Sequence, residues 1–271
     1  MPELPEVETT RRGIREHVEQ QIVKKVIIRQ PKLRWPIPAR LTKILPGQKI
    51  HSISRRAKYL IFSCDAGHVI LHLGMSGSLR VLDANIPAEK HDHIDFIFTN
   101  GKCLRLRDPR RFGAVLFTKD DPAQHKLLKS LGPEPLSKPF TAEYLFTISR
   151  KRKLTIKSFI MDSKIVVGVG NIYASEALFR AGVHPKRAAG KVTKEKYTLL
   201  STAIKEVLTE AIKAGGTSLR DFTQSDGKPG YFKQSLNVYG RKGEPCNNCK
   251  KPITQSVIAQ RSTYYCTQCQ K

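Results

Sequence analysis

Gly132-Pro133-Glu134-Pro135-Leu136-Ser137-Lys138-Pro139 packs three prolines into eight residues and separates two halves of different periodicity. Proline fixes φ and removes a hydrogen-bond donor, so no helix or central strand runs through the stretch, and 133–140 reads as a linker. On its N-terminal side, short runs rich in β-branched and aromatic residues recur at 22–28, 59–63, 68–73, 94–98 and 114–117, parted by Gly, Asn, Asp and Pro. Strands this short and closely spaced favour an antiparallel sandwich or barrel over alternating βαβ units. A leading helix is expected over 5–18, where Val7, Ile14 and Val18 keep helical intervals behind Pro5. A second is expected around Leu127, Leu128 and Leu131. Beyond the linker the period is helical: Thr193 can cap a helix carrying Tyr197, Leu200, Ile204, Val207, Leu208 and Ala211, which Gly215-Gly216 ends. The expected class is α+β and multidomain. A β-sandwich domain spans 1–132, a helical domain 141–233, and a cysteine-bearing tail 234–271.

The 271 residues carry 48 Lys plus Arg against 23 Asp plus Glu, a formal charge of +25, and 39% are hydrophobic. That apolar content suffices for packed cores and excludes a disordered basic tail. The charge points to a polyanionic partner, most simply nucleic acid. No stretch approaches the ~20 apolar residues of a membrane span. The start, Met1-Pro2-Glu3-Leu4-Pro5-Glu6, lacks the basic and apolar segments of a signal peptide, so a cytoplasmic location is expected. Cysteines in such a chain read as metal ligands or free thiols before disulfides.

Four of the six cysteines form Cys246-x-x-Cys249 and, after sixteen residues, Cys266-x-x-Cys269. Two such pairs suit one tetrahedral, structural zinc, each pair making a knuckle and the segment between returning as a hairpin. Cys64 and Cys103 lie in strand-like runs and read as buried bystanders. Cations cluster at Arg55-Arg56-Ala57-Lys58, at Arg110-Arg111, and at Arg150, Lys151, Arg152, Lys153 and Lys157. Phosphate contacts from such groups give affinity without sequence information. In Asp108-Pro109-Arg110-Arg111-Phe112-Gly113, an Arg and an apolar ring on one turn suit the opening of a base stack; a hairpin turn with a buried Phe is the alternative. Gly168-Val169-Gly170-Asn171 could open a helix whose free N–H groups meet a phosphate. Removal of Met1 would leave Pro2 as a secondary amine with a reference pKa of about 8, able to attack a sugar C1′ and form an iminium, with Glu3 beside it for proton transfer; by residue type alone, an ordinary N-terminus is the favoured reading.

Pro2-Glu3-Leu4-Pro5-Glu6, Arg56-Ala57-Lys58-Tyr59, His72-Leu73-Gly74-Met75-Ser76-Gly77, Asp108-Pro109-Arg110-Arg111-Phe112-Gly113, Gly170-Asn171-Ile172-Tyr173 and the terminal cysteine hairpin together resemble formamidopyrimidine-DNA glycosylase. The likeness runs through the whole chain in order. The related endonuclease VIII group starts with Gly where this chain has Leu4, which favours the oxidised-purine branch.

The resemblance implies a base-excision repair enzyme, both glycosylase and abasic-site lyase, acting as a monomer on double-stranded DNA with oxidised or abasic sites, and nucleoid-associated in a bacterium. Pro2 would be the nucleophile, Glu3 its acid–base partner and Glu6 a supporting carboxylate. Lys58 would assist β-elimination and Arg261 δ-elimination. Asn171 and Tyr239 would grip phosphates, with His91, Arg110 and Lys153 in DNA-contact positions. Met75, Arg110 and Phe112 would fill the gap left by the flipped nucleotide, and 217–231 would close over the base. A helix–two-turn–helix is implied for the helical domain. Ser163 departs from the Gln or Asn often found there, outside the named catalytic positions. An oxidised-pyrimidine preference of the endonuclease VIII type, or a noncatalytic zinc-hairpin protein, are the other readings.

Overall fold

The structure, a computed structural model, describes residues 2–216 and 236–271. The expected closing loop at 217–231 lies outside the described residues. Two compact units emerge: one holds the described part of Met1–Lys129 with residues 214–216, the other Ser130–Lys213 with residues 236–271.

The first unit opens with helix α1, Leu4–Val18, whose Val7, Ile14 and Val18 are buried as their spacing requires. Strands β1 (Val23–Ile28), β6 (Asp92–Phe98), β7 (Lys102–Arg107) and β5 (Ser78–Asp83) form one antiparallel sheet in the order β1-β6-β7-β5. Strands β2 (Ser52–Arg56), β3 (Tyr59–Cys64), β4 (Gly67–His72) and β8 (Ala114–Thr118) form the second, in chain order. Val23 and Phe96 of one sheet and Phe62 and Leu71 of the other share a single core with α1 and the short helix α2, Leu41–Ile44. This is the expected sandwich. Its core leaves a void of only about 10 Å³, lined by Val18, Phe62 and Phe98 among others, so nothing binds between the sheets.

No α-helix forms around Leu127, Leu128 and Leu131. A single 3₁₀ turn at Pro122–Gln124 is followed by isolated turns, His125 N–H to Pro122 and Leu128 N–H to His125. Of the three leucines only Leu128 is buried, and one apolar contact cannot offset the cost of nucleating a helix.

The second unit is helical: α3 (Ala142–Ser149), α4 (Ile156–Met161), α5 (Asn171–Arg180) and α6 (Lys194–Lys213). Thr193 Oγ1 accepts from Lys196 N–H, capping α6 as expected, and all six predicted apolar positions of α6 are buried. A hairpin of β9 (Thr254–Ile258) and β10 (Arg261–Tyr265) completes the unit, turning through Ala259 and Gln260, both at positive φ. Among the described residues no helix is long and apolar enough to cross a membrane.

Candidate active site and metal centre

In the first unit the chemistry starts where α1 starts. Pro2 and Glu3 are buried, and the Glu6 carboxylate accepts the Glu3 N–H at 2.8 Å within a capping box. The Pro2–Glu3 peptide is thus held at the N-terminal end of the helix.

One turn on, Glu8 ties this helix to the Lys58 turn. Its carboxylate accepts from Arg11, Arg12 and Arg55 at 2.8–3.1 Å, and Arg55 Nη1 donates in turn to the Ala57 carbonyl at 2.8 Å. Burial alone would raise its pKa, but the three guanidiniums outweigh it and hold Glu8 at about 2. Lys58 follows Ala57 in the two-residue β2–β3 turn, Ala57 sitting at φ +55°. An L-residue there is strained, and the Arg55 bond helps to keep it. Arg55, read from sequence as part of a cationic cluster, is therefore internal scaffolding.

The turns after β4 and β7 are stitched together. Buried Asp108 accepts from Ser76 Oγ at 2.8 Å and from Gly113 N–H at 2.7 Å. A methyl on Gly74, at φ +66°, would lie 2.4 Å from Gly113 N, so only glycine permits this approach. The result presents half-buried Met75 beside exposed Phe112, with the Arg110 guanidinium 5.1 Å over the Phe112 ring. The Phe112 ring is exposed rather than buried, which removes the alternative reading of that turn. The His91 carbonyl accepts the Asp108 N–H at 3.0 Å, joining His91 to the same framework.

Met75 and Phe112 open onto a pocket of about 430 Å³ shared with Arg34, His72 and Gly74. Arg34 carried no sequence signal, and His72 opens one of the motifs quoted above but carried no assigned role. Its Nδ1 accepts the Gly74 N–H at 2.9 Å, which leaves the proton on Nε2. Burial, with the Lys58 and Arg34 charges, lowers its pKa to about 4, so at neutral pH it is an uncharged donor. The unfolded chain takes up this proton below about 6.5 and the folded one does not until about 4. Stability is therefore expected to fall across that window by up to about 3 kcal/mol, and His72→Gln should flatten the decline. Urea unfolding of both proteins at pH 7.5 and 4.5 checks this; parallel losses would refute it.

The second unit holds the remaining predicted residues. Lys157, in the expected cationic cluster, is buried, and its ammonium donates to Asn171 Oδ1 (2.6 Å), Thr263 Oγ1 (2.8 Å) and the Ser262 carbonyl (3.2 Å). Arg150 is likewise spent, donating to the Phe146, Ala189 and Val192 carbonyls and stacking 4.0 Å over Phe146. Lys151, Arg152 and Lys153 are exposed, so the run of five cations is three surface charges and two internal ties. Asn171 opens α5 behind Gly170 and donates from Nδ2 to Ser262 (2.9 Å) and towards Tyr239 Oη (3.5 Å). Tyr239 packs edge-on against Tyr264 of the hairpin at 5.0 Å. Buried Glu176, one turn further along α5, accepts the N–H groups of Asn237, Val238 and Tyr239 at 2.8–2.9 Å and fixes that segment; no sequence signal marked it. Arg261 is exposed at the hairpin tip, beside a pocket of about 180 Å³ with Lys157, Asp162 and Ala259.

The four sulfurs of Cys246, Cys249, Cys266 and Cys269 lie within 4.8 Å of one another, with pairs at 3.4 and 3.9 Å. Tetrahedral zinc with Zn–S of ~2.3 Å sets sulfurs ~3.8 Å apart, so the donor set fits one structural zinc. Gln270 braces the site from outside, accepting the Cys266 N–H at 2.8 Å and donating to the Val183 carbonyl at 2.9 Å. Cys64 in β3 and Cys103 in β7 are buried in the first unit. Burial raises the pKa of both thiols, that of Cys103 to about 12, which leaves them inert.

Three family descriptions match along the chain: "Formamidopyrimidine-DNA glycosylase N-terminal domain" at 1–115, "Formamidopyrimidine-DNA glycosylase H2TH domain" at 131–223, and "Zinc finger found in FPG and IleRS" at 243–271. Curated proteins named formamidopyrimidine-DNA glycosylase from Syntrophotalea carbinolica and Photobacterium profundum are each 56% identical over 271 residues, all of both chains. Among solved structures, Thermus thermophilus MutM (Fpg) is 38% identical, with TM-score 0.88 over 99% of this chain and 98% of that one. Lactococcus lactis Fpg in complex with an abasic-site DNA is 35% identical, with TM-score 0.92 over 99% of each chain. The wild-type Lactococcus protein in complex with an N7-benzyl-Fapy-dG DNA is 36% identical, with TM-score 0.92 over 100% of each. Matched in every part of its length by these proteins, the chain belongs to the formamidopyrimidine-DNA glycosylase family.

Proposed function

We propose that this protein excises oxidised purines, 8-oxoguanine and formamidopyrimidines, from double-stranded DNA and then cuts the abasic strand, working as a monomer in the bacterial cytoplasm at the nucleoid. The observation that carries this reading is the start of α1, where the Glu6 carboxylate holds the peptide joining buried Pro2 to Glu3. In this reading 1–132 is the catalytic domain, 133–140 a linker, 141–233 the helix–two-turn–helix domain and 234–271 the zinc hairpin.

The target C1′ lies inside the duplex, so the nucleotide must be extruded at a cost of a few kcal/mol. Met75, Arg110 and Phe112 offset part of this by filling the vacated stack. Lys58, Asn171, Tyr239 and Arg261 hold the backbone, with His91 and Lys153 as further contacts. The Pro2 nitrogen bonds to C1′ and loses its proton as the glycosidic bond breaks and the purine leaves protonated; Glu3 then gives a proton to O4′ as the C1′–O4′ bond opens, which leaves the ring-opened iminium. The iminium acidifies C2′–H, so the 3′ phosphate departs by β-elimination, assisted by Lys58. The 5′ phosphate follows by δ-elimination, assisted by Arg261. The product is a one-nucleotide gap.

Borohydride reduction with 8-oxoguanine duplex should yield a covalent protein–DNA adduct, and 8-oxoguanine should be excised faster than thymine glycol. Excision of thymine glycol alone would move the protein to the pyrimidine branch; no adduct with either would leave a noncatalytic binder. Lys153→Ala should reduce the log–log salt slope of duplex affinity by about 0.9, the value of one phosphate contact. An unchanged slope removes Lys153 from the contact set.

A further inference from the structure

We infer that Gly216 is a positioning residue for base excision, acting through Glu6 on the catalytic terminus; this rests on the proposed roles of Pro2 and Glu3. After α6 the chain passes through Gly215 and Gly216, at φ +76° and +82°. Buried Gly216 belongs to the same unit as α1 and seats its α-carbon against Glu6. A methyl there would lie 3.2 Å from Glu6 Oε1, 3.3 Å from Cγ and 3.5 Å from Cα, the first two tighter than ordinary van der Waals contact.

The other oxygen of that carboxylate, Oε2, holds the Glu3 N–H. Gly216 thus closes off one side of the Glu6 side chain and fixes the oxygen that orients the Pro2–Glu3 peptide. The contact chain is short: Gly216 to Glu6 carboxylate, carboxylate to Glu3 N–H, and that peptide to the Pro2 ring. The added methyl would make the carboxylate give by a few tenths of an ångström, a fraction of the ~1 Å misplacement that costs about 100-fold in rate. Gly216 is accordingly glycine for two reasons: its backbone is left-handed, and the space a side chain would take is filled by the carboxylate it positions.

The two reasons separate experimentally, because Gly101 has nearly the same backbone, φ +80°, with nothing within 4 Å of an added methyl. Gly101→Ala reports backbone strain alone and should trap at the wild-type rate. Gly216→Ala should slow single-turnover borohydride trapping on 8-oxoguanine duplex at least 10-fold, while affinity for a tetrahydrofuran-site duplex stays within 2-fold. Glu6→Asp withdraws the carboxylate from the Glu3 N–H and should itself slow trapping, so Gly216→Ala should cost less in that background than in the wild type. Wild-type trapping by Gly216→Ala would overturn the assignment. So would an equal loss in both backgrounds, or a loss matched by weakened binding. A Gly216→Ala protein that does not fold loses binding together with trapping, which also overturns it. Failure of the wild type to trap would instead refute the proposed function.

Discussion

Protein stripped of zinc, or carrying Cys249→Ser, is expected to lose DNA binding altogether while the N-terminal sheets stay folded. The hairpin has almost no apolar core of its own: its buried cluster is Phe179, Val238, Cys246, Ile253 and Cys266, two of them metal ligands. The ~10–16 kcal/mol typical of structural zinc therefore holds β9 and β10 in place. Their loss reaches beyond Arg261, because Ser262 and Thr263 accept the Lys157 ammonium that also holds Asn171, and Tyr264 carries Tyr239. Amides of β3, β4 and β6 should keep their protection from hydrogen exchange in the stripped protein, while fluorescence anisotropy shows no binding to lesion duplex. Normal cleavage of lesion DNA by metal-free protein would contradict this account.

The second large effect concerns the terminus. With Met1 retained, the Pro2 nitrogen is a tertiary amide whose lone pair is delocalised into the carbonyl, and it cannot form an iminium. Protein with an uncleaved extension should still bind damaged duplex through its cationic surface, yet give no strand cleavage and no reduced adduct. Pro2→Gly, whose primary amine can still form an imine, should keep part of the activity. Full activity from a homogeneous extended preparation would remove Pro2 from the chemistry.

Features set by local spacing were legible in the sequence. The α6 stripe from Tyr197 to Ala211, its Thr193 cap and the paired CxxC knuckles depend on neighbours a few residues away, so periodicity and spacing reveal them. What stayed hidden depends on partners far along the chain. Strands β5 and β7 carry Arg80, Arg105 and Arg107, which look like solvent-facing charge. Arg105 is in fact only 2% exposed, fixed by Asp95 at 2.9 Å and by the Ile86 and Pro87 carbonyls, and Arg80 pairs with buried Asp92. The same blindness joined Arg150 and Lys157 to a surface cluster, although both are internal donors. Leucines at 127, 128 and 131 showed the opposite failure, a plausible local pattern of which only Leu128 is buried. In the site, the terminus and loop motifs were read from residue type, whereas Arg34, His72 and Glu176 needed the fold to show their surroundings.

The central claim is that the N-terminal amine of Pro2 attacks the sugar, with Lys58 confined to phosphate contact and proton transfer. The most direct test is peptide mass spectrometry of the borohydride-reduced adduct formed with 8-oxoguanine duplex. The account predicts the sugar remnant on the nitrogen of a peptide that begins at Pro2; a remnant on Lys58 or on any internal lysine would contradict it.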